Sequence, residues 1–300
     1  MSVLLCDNIS KTYASDNLMP ISNFSFNFLD RKIYGILGKS DSGKETLLDM
    51  IAGNVTPTSG VIWVDGEKLS KNSKVSNRVC YIKKDTTYPK FLKINAIFKY
   101  METLYPKWDN FYANNLCKHF DINPSHIYGS LEENKKHILI GICSLASMAN
   151  ITIYDDPVSE VDIKDRYDFF NFLYNHHQRY PRTVIIVTDH IDEINYLFDK
   201  VLFLDKGKLI DFFTSNELIN NFRYLTGKTE VLKSLIKGIK IIGQEERNGM
   251  LTVCVCKKLS KDEKRKFQKY MINISDVPIQ KIFIYLINLR EHRTKKNNIV

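Results

Sequence analysis

Apolar and polar residues alternate around Phe24, Phe26 and Phe28, which predicts a half-buried strand, because side chains two apart share one face of a sheet. The next apolar run is continuous: Ile33-Tyr34-Gly35-Ile36-Leu37 reads as a strand buried on both faces. Residues 46–52 read as a helix. A turn cluster at 53–60, with Pro57-Thr58-Ser59-Gly60, leads into a strand at 61–64. Residues 94–147 read as helical and carry the aromatics Phe98, Tyr105, Trp108, Phe111, Tyr112 and Phe120. A short apolar strand follows at 151–154, then a helix at about 165–179 and a strand at 183–188. The turn Asp205-Lys206-Gly207-Lys208 closes a hairpin. Strands alternating with helices predict an α/β fold, a mostly parallel sheet flanked by helices.

The texture changes after residue 222. Segments 239–243 and 251–256 read as strands, 261–269 as a basic helix and 282–289 as an apolar helix. The expected organisation is a main domain over 1–222, with a helical subdomain at about 90–147, and a small α/β appendage over 223–300. The most apolar stretch, 138–154, is interrupted by Ser144, Ser147 and Asn150 and ends in two acids. A helix plus a buried strand accounts for it better than a membrane span.

Composition narrows the class only a little. A chain of 300 residues with 44% hydrophobic content can bury a full core. The opening Met1-Ser2-Val3-Leu4-Leu5-Cys6-Asp7 lacks a basic leader, so a cytoplasmic location is expected. The six cysteines are scattered, and only Cys254 and Cys256 are close; they are expected to be reduced core residues, not a zinc site. The net charge of +9 comes from dispersed Lys and Arg, and no nucleic-acid partner is expected.

Chemistry enters at Gly38-Lys39-Ser40-Asp41-Ser42-Gly43-Lys44-Glu45-Thr46. A glycine-bounded loop between a strand and a helix is a phosphate-binding P-loop. Gly38 and Gly43 let successive backbone N–H groups point at phosphate oxygens, and Lys44 reaches the terminal phosphates. The position after the lysine calls for Ser or Thr, whose hydroxyl ligates Mg²⁺, but here it is Glu45. A second element, Tyr154-Asp155-Asp156-Pro157, puts two acids at the end of a strand 111 residues after Lys44. Val187-Thr188-Asp189-His190 ends the next strand in a histidine.

In this order the motifs resemble the nucleotide-binding subunits of ATP-binding cassette (ABC) transporters, over roughly residues 1–215. The resemblance implies ATP and Mg²⁺ as cofactors, with Ser40 to Thr46 around the phosphates and Tyr13 stacked on adenine. Glu45 and Asp155 would serve the metal, and Asp156 and His190 would be catalytic. It places the family signature at Leu131, Glu132, Glu133, Asn134 and Lys135, acting on the opposite subunit's ATP. The glutamine that senses Mg²⁺ falls at Lys84, and the loop linking the two sites of a dimer at Ser159 and Asp162.

Four positions depart from the pattern: Glu45 for Ser or Thr, Glu132 for the signature serine, Lys84 for the glutamine, and Asp156 for the catalytic glutamate. The expected partners are a separately encoded membrane permease and a second ATP-binding subunit, in a homodimer or heterodimer on the inner face of the membrane. The aromatics of 94–120 are expected to form the subdomain's core, with one or two at the surface, such as Tyr105 or Trp108, enough to dock the permease. The appendage resembles that of Gram-positive subunits that include peptide and antibiotic exporters and immunity systems. The alternative is a catalytically impaired pseudo-ATPase with a structural or regulatory role.

Overall fold

The structure is a computed structural model that describes residues 2–13, 18–70, 78–158 and 160–297. The chain divides into two compact units. One comprises Met1–Asp189 with Leu197–Asp211, the other His190–Tyr196 with Phe212–Val300.

In the first unit, strands β1 (Ser2–Tyr13), β2 (Leu18–Leu29), β4 (Ser59–Val64) and β5 (Glu67–Lys68) form an antiparallel sheet in the order β2-β1-β4-β5. The alternation in β2 has its expected cause: Phe24, Phe26 and Phe28 are buried while their neighbours are exposed or half-buried. Phe26 and Phe28 meet edge to face at 4.7 Å, and Phe28 meets Tyr34 at 4.9 Å.

The second sheet has six strands in the order β10-β9-β3-β8-β7-β6. They are β3 (Ile33–Gly38), β6 (Val79–Ile82), β7 (Ile151–Asp155), β8 (Thr183–Val187), β9 (Lys200–Asp205) and β10 (Lys208–Thr214). The pairs β3–β8, β3–β9, β6–β7 and β7–β8 are parallel. Every residue of β3 and β8 is buried, as continuous apolar runs require. Between β9 and β10, Lys206 and Gly207 both have positive φ (48° and 73°), the geometry of a two-residue hairpin turn.

Helix α1 (Lys44–Ile51) follows β3, and α5 (Ile163–Arg179) follows β7. The segment expected to be helical resolves into α2 (Ile94–Leu104), α3 (Asn110–His119), a 3-10 turn (Tyr128–Ser130) and α4 (Glu133–Ala146). Asp109 caps α3 by accepting from the Tyr112 N–H at 2.8 Å. Trp108 packs on Phe98, with ring centroids 5.5 Å apart, and Trp108 and Tyr105 are both half-buried. Phe111 and Tyr100 are the exposed ones, at 78% and 57%. The stretch 138–154 breaks into α4 and β7, and Ser144 Oγ and Tyr154 OH lie 2.7 Å apart across the break. Among the described residues, no helix is long and apolar enough to cross a membrane.

The second unit contains β11 (Phe222–Lys228), α7 (Thr229–Leu235), β12 (Ile241–Arg247), β13 (Met250–Cys256), α8 (Lys261–Lys269) and β14 (Asn273–Asp276). α6 (Ser215–Asn221) precedes these elements and α9 (Ile279–Asn297) follows them. The sheet order β12-β13-β11-β14 is antiparallel throughout. This βαββαβ connectivity and strand order make a ferredoxin-like arrangement. Its core joins Leu225, Val253 and Val255 of the sheet to Leu232 of α7 and Phe267 of α8. Asn248 and Gly249, with φ of 52° and 74°, turn β12 into β13. Strands β11 and β14 were not anticipated: their runs are short and mixed, and pairing with β13 and with each other makes them strands.

Candidate functional site

Strand β3 ends at Gly38 and α1 begins at Lys44, so the glycine-bounded loop sits at the C-terminal edge of the parallel sheet. Gly43 takes φ 93°, and a Cβ there would lie 2.1 Å from the Pro20 carbonyl oxygen. That same oxygen would lie 2.4 Å from a Cβ on Gly207. Gly207 N–H donates to the Ser42 carbonyl at 3.0 Å, and Ser22 N–H donates to the Gly207 carbonyl at 2.9 Å. The loop is therefore clamped between the start of β2 and the β9–β10 turn, and only glycine fits at both contacts. Asp41 also takes a left-handed φ, of 60°, a conformation that Asp tolerates better than most side chains.

Lys44 lies inside the loop. Its Nζ donates to the carbonyls of Gly38 and Lys39, each at 2.7 Å, and lies 3.4 Å from Ser42 Oγ. Burial pushes its pKa down, opposed by Asp189, Asp155 and Asp41. A cleft of about 1010 Å³ opens here. It gathers Ser40, Asp41, Ser42, Gly43, Lys44, Glu45, Thr46 and Lys84 with Asp155 and Asp156, residues far apart in the chain.

The cleft is rich in carboxylates. Burial raises the Asp155 pKa to about 6, with Glu45 and Asp156 pushing the same way and Lys44 opposing. Asp156 has φ 48°; its N–H donates to the Val187 carbonyl at 2.8 Å and its Oδ1 accepts from Thr188 Oγ1 at 3.0 Å. Lys83 Nζ is 2.7 Å from Asp49 Oδ1 and 5.5 Å from the Tyr81 ring centroid. The Tyr81 hydroxyl oxygen is buried without a hydrogen-bond partner. Burial, then Asp155, Asp49 and Glu45, push its pKa well above the ordinary range.

Sequence reasoning missed Lys83, Asp49, Tyr81 and Asp189. For two of them a signal existed: Lys83, just past the end of β6, stands two residues after Tyr81, the spacing of one strand face. Lys84 is exposed at the rim, and it is Lys83 that pairs with a carboxylate.

Tyr13, the 131–135 segment and Asp162 do not line this cleft. Tyr13 ends β1 opposite Leu18, with Lys11 Nζ 5.1 Å from its ring centroid; Leu18, not Tyr13, lines the cleft. Leu131 precedes α4, and Glu132 is its exposed N-cap. Glu133 pairs with Lys136 at 2.6 Å. Asn134 Nδ2 donates to Asp162 Oδ2 at 2.9 Å and to Asp165 Oδ2 at 3.2 Å, and Lys135 Nζ lies 3.1 Å from the same Asp165 oxygen. The start of α4 is thus tied to the start of α5. Ser159 lies outside the described residues. His190 belongs to the second unit, with its Nδ1 3.1 Å from Glu193 Oε1.

Residues 21–159 match the family model described as "ABC transporter". The ABC transporter ATP-binding protein YtrB of Bacillus subtilis is 24% identical over 205 residues, covering 68% of this chain and 70% of its own length. The energy-coupling factor transporter ATP-binding protein EcfA1 of Mycoplasma mobile is 26% identical over 231 residues, 73% of this chain and 82% of its own. Among solved structures, the ATP-binding cassette MJ0796 bound to ADP and Pi superposes with a TM-score of 0.63 at 18% identity, over 71% of this chain and 98% of that one. The cbiO1 protein of Clostridium perfringens superposes with a TM-score of 0.60 at 17% identity, over 79% of this chain and 95% of its own. These superpositions establish the fold.

Proposed function

We propose that this chain, which carries an ABC transporter nucleotide-binding domain, is the ATP-binding subunit of a transporter whose permease is a separate protein. The observation that carries the reading is the single cleft joining the Lys44 loop to Asp155 and Asp156. Loop N–H groups and the N-terminus of α1 suit an anionic phosphate chain, and the Cβ-free approach at Gly43 keeps the loop in the shape that phosphate requires. Two such subunits would form a dimer at the inner face of a membrane, each completing the other's site with the 131–135 segment. Two relatives are named as import proteins, for methionine and for sulfate/thiosulfate; neither name supports export or immunity.

The donor set also fits Mg²⁺. Carboxylate oxygens are hard ligands, and Glu45 and Asp155 line one cleft; among the described residues no three such side chains form a ready metal site, so the phosphates would complete the ligand set. We assign the metal to this pair. Its role when bound is to neutralise charge between these carboxylates and the phosphates. Asp156, held by Thr188, is the candidate to orient water, and Lys83 with Asp49 supports the metal side of the cleft.

One observation favours the impaired-ATPase reading: two carboxylates, Asp41 and Glu45, lie in the phosphate loop itself. Catalysis of phosphoryl transfer rests on charge neutralisation and positioning, so turnover by this chain alone should be slow. Calorimetry of ATP binding with and without Mg²⁺ tests both readings. Micromolar binding that requires Mg²⁺ supports the ATP-binding subunit. No binding at millimolar ATP, with or without the metal, overturns it in favour of a structural or regulatory partner.

A further inference from the structure

A second cleft, of about 640 Å³, lies at the other end of the parallel sheet. It is lined by Asp30 and Arg31, which precede β3, by Asn150, which precedes β7, and by Arg182, which precedes β8. The Lys44 loop and Asp155 sit where the strands end. At ~3.3 Å per residue, five or six residues of strand put the two clefts roughly 17 Å apart.

The charges in this cleft do not balance. Arg31 pairs with Asp30 at 3.3 Å. Asp65 is already engaged by Arg78 at 3.4 Å and by Asn150 Nδ2 at 3.2 Å. That leaves Lys107, Arg179 and Arg182 lining the cleft, with no carboxylate in ion-pair range among the described residues.

Arg182 is the informative one, because it is only 7% exposed. Its guanidinium reaches His176 Nδ1 at 3.2 Å, Met148 Sδ at 3.7 Å and the Leu145 carbonyl at 3.4 Å. All three partners are neutral, since burial and then Arg182 itself push the His176 pKa down to about 3. The other groups that feel its charge include the Tyr112 and Tyr154 hydroxyls and the Cys80 thiol. A buried guanidinium without a counter-charge is costly. Its planar fork of donors matches an oxyanion.

We propose that this cleft is a second anion site that takes a small phosphate-bearing ligand. Arg182 is the buried anchor, and Lys107 and Arg179 are the exposed cations at the mouth. Three unpaired positive charges around one cavity favour a multiply charged phosphate over a single carboxylate. The phosphate comes either from a soluble compound or from a lipid headgroup.

The test uses the full chain carrying Lys44→Ala, so that the phosphate loop does not compete. Pyrophosphate is titrated by calorimetry, and vesicles containing phosphatidic acid are tested by co-sedimentation. The expected result is binding to one of the two probes that weakens about tenfold or more, ~1.4 kcal/mol, in the Lys107→Ala/Arg179→Ala variant. Lys99→Ala/Lys118→Ala, which removes two exposed lysines elsewhere, should leave it unchanged. Binding to pyrophosphate assigns a soluble ligand, and binding to vesicles alone assigns a headgroup. Absence of binding to both probes, or equal loss in the two double variants, overturns the proposal.

Discussion

Lys44 Nζ donates to the Gly38 carbonyl at 2.7 Å, closing the phosphate loop on its own backbone. A phosphate must draw Lys44 off Gly38 and Lys39, and two acids in the loop oppose its arrival. One unit charge about 4 Å from another is worth roughly 4 kcal/mol at an effective dielectric of 20. Glu45 is exposed, so screening reduces this figure. With Mg²⁺ absent, so that no metal offsets the charge, Glu45→Thr is expected to strengthen ATP binding by about tenfold or more. An unchanged dissociation constant by calorimetry would show that Glu45 does not oppose the nucleotide.

The cluster around Asp155 has a pH signature. Its pKa stands at about 6 in the folded chain against an ordinary 3.8, so folding favours the protonated form. This contribution is fully present below pH 3.8 and is lost as pH rises through about 6. Asp155→Asn should therefore raise the melting temperature relative to the parent above about pH 6 and lose that advantage in acid. An equal effect at both ends of the range would refute the assignment.

Asn134, Lys135 and Asp165 form the tie between α4 and α5. Asp165→Ala removes the acceptor that Asn134 and Lys135 share. The expected loss is about 1–2 kcal/mol of stability in denaturant unfolding. Asp162 still holds Asn134 in this variant, so the m-value should not change.

In the second unit, a Cβ on Gly243 would lie 2.3 Å from the Tyr285 ring. Gly243→Ala should destabilise that unit by about 1–3 kcal/mol through overpacking. Adding Tyr285→Leu should recover most of the loss. A double variant no more stable than the single one would place the cause in the backbone.

The alternating phenylalanines of β2, the buried run of β3 and the glycines at 38 and 43 are local signals. Each states its backbone requirement within a few residues, so strand, loop and helix were legible from sequence alone. So were the lysine of the loop and the two acids that end β7. The sequence could not say which polar groups meet, because those contacts join residues far apart: Lys83 to Asp49, Asn134 to Asp162, Arg182 to the Leu145 carbonyl. It named Lys84, which stands at the rim of the cleft, and only the fold showed that its neighbour Lys83 meets Asp49. It left open which aromatics of 94–120 are core and which are surface, and packing leaves both Tyr105 and Trp108 half-buried. The ferredoxin-like order of the second unit was likewise decided by pairing, since β11 and β14 are strands only because their neighbours complete their hydrogen bonds.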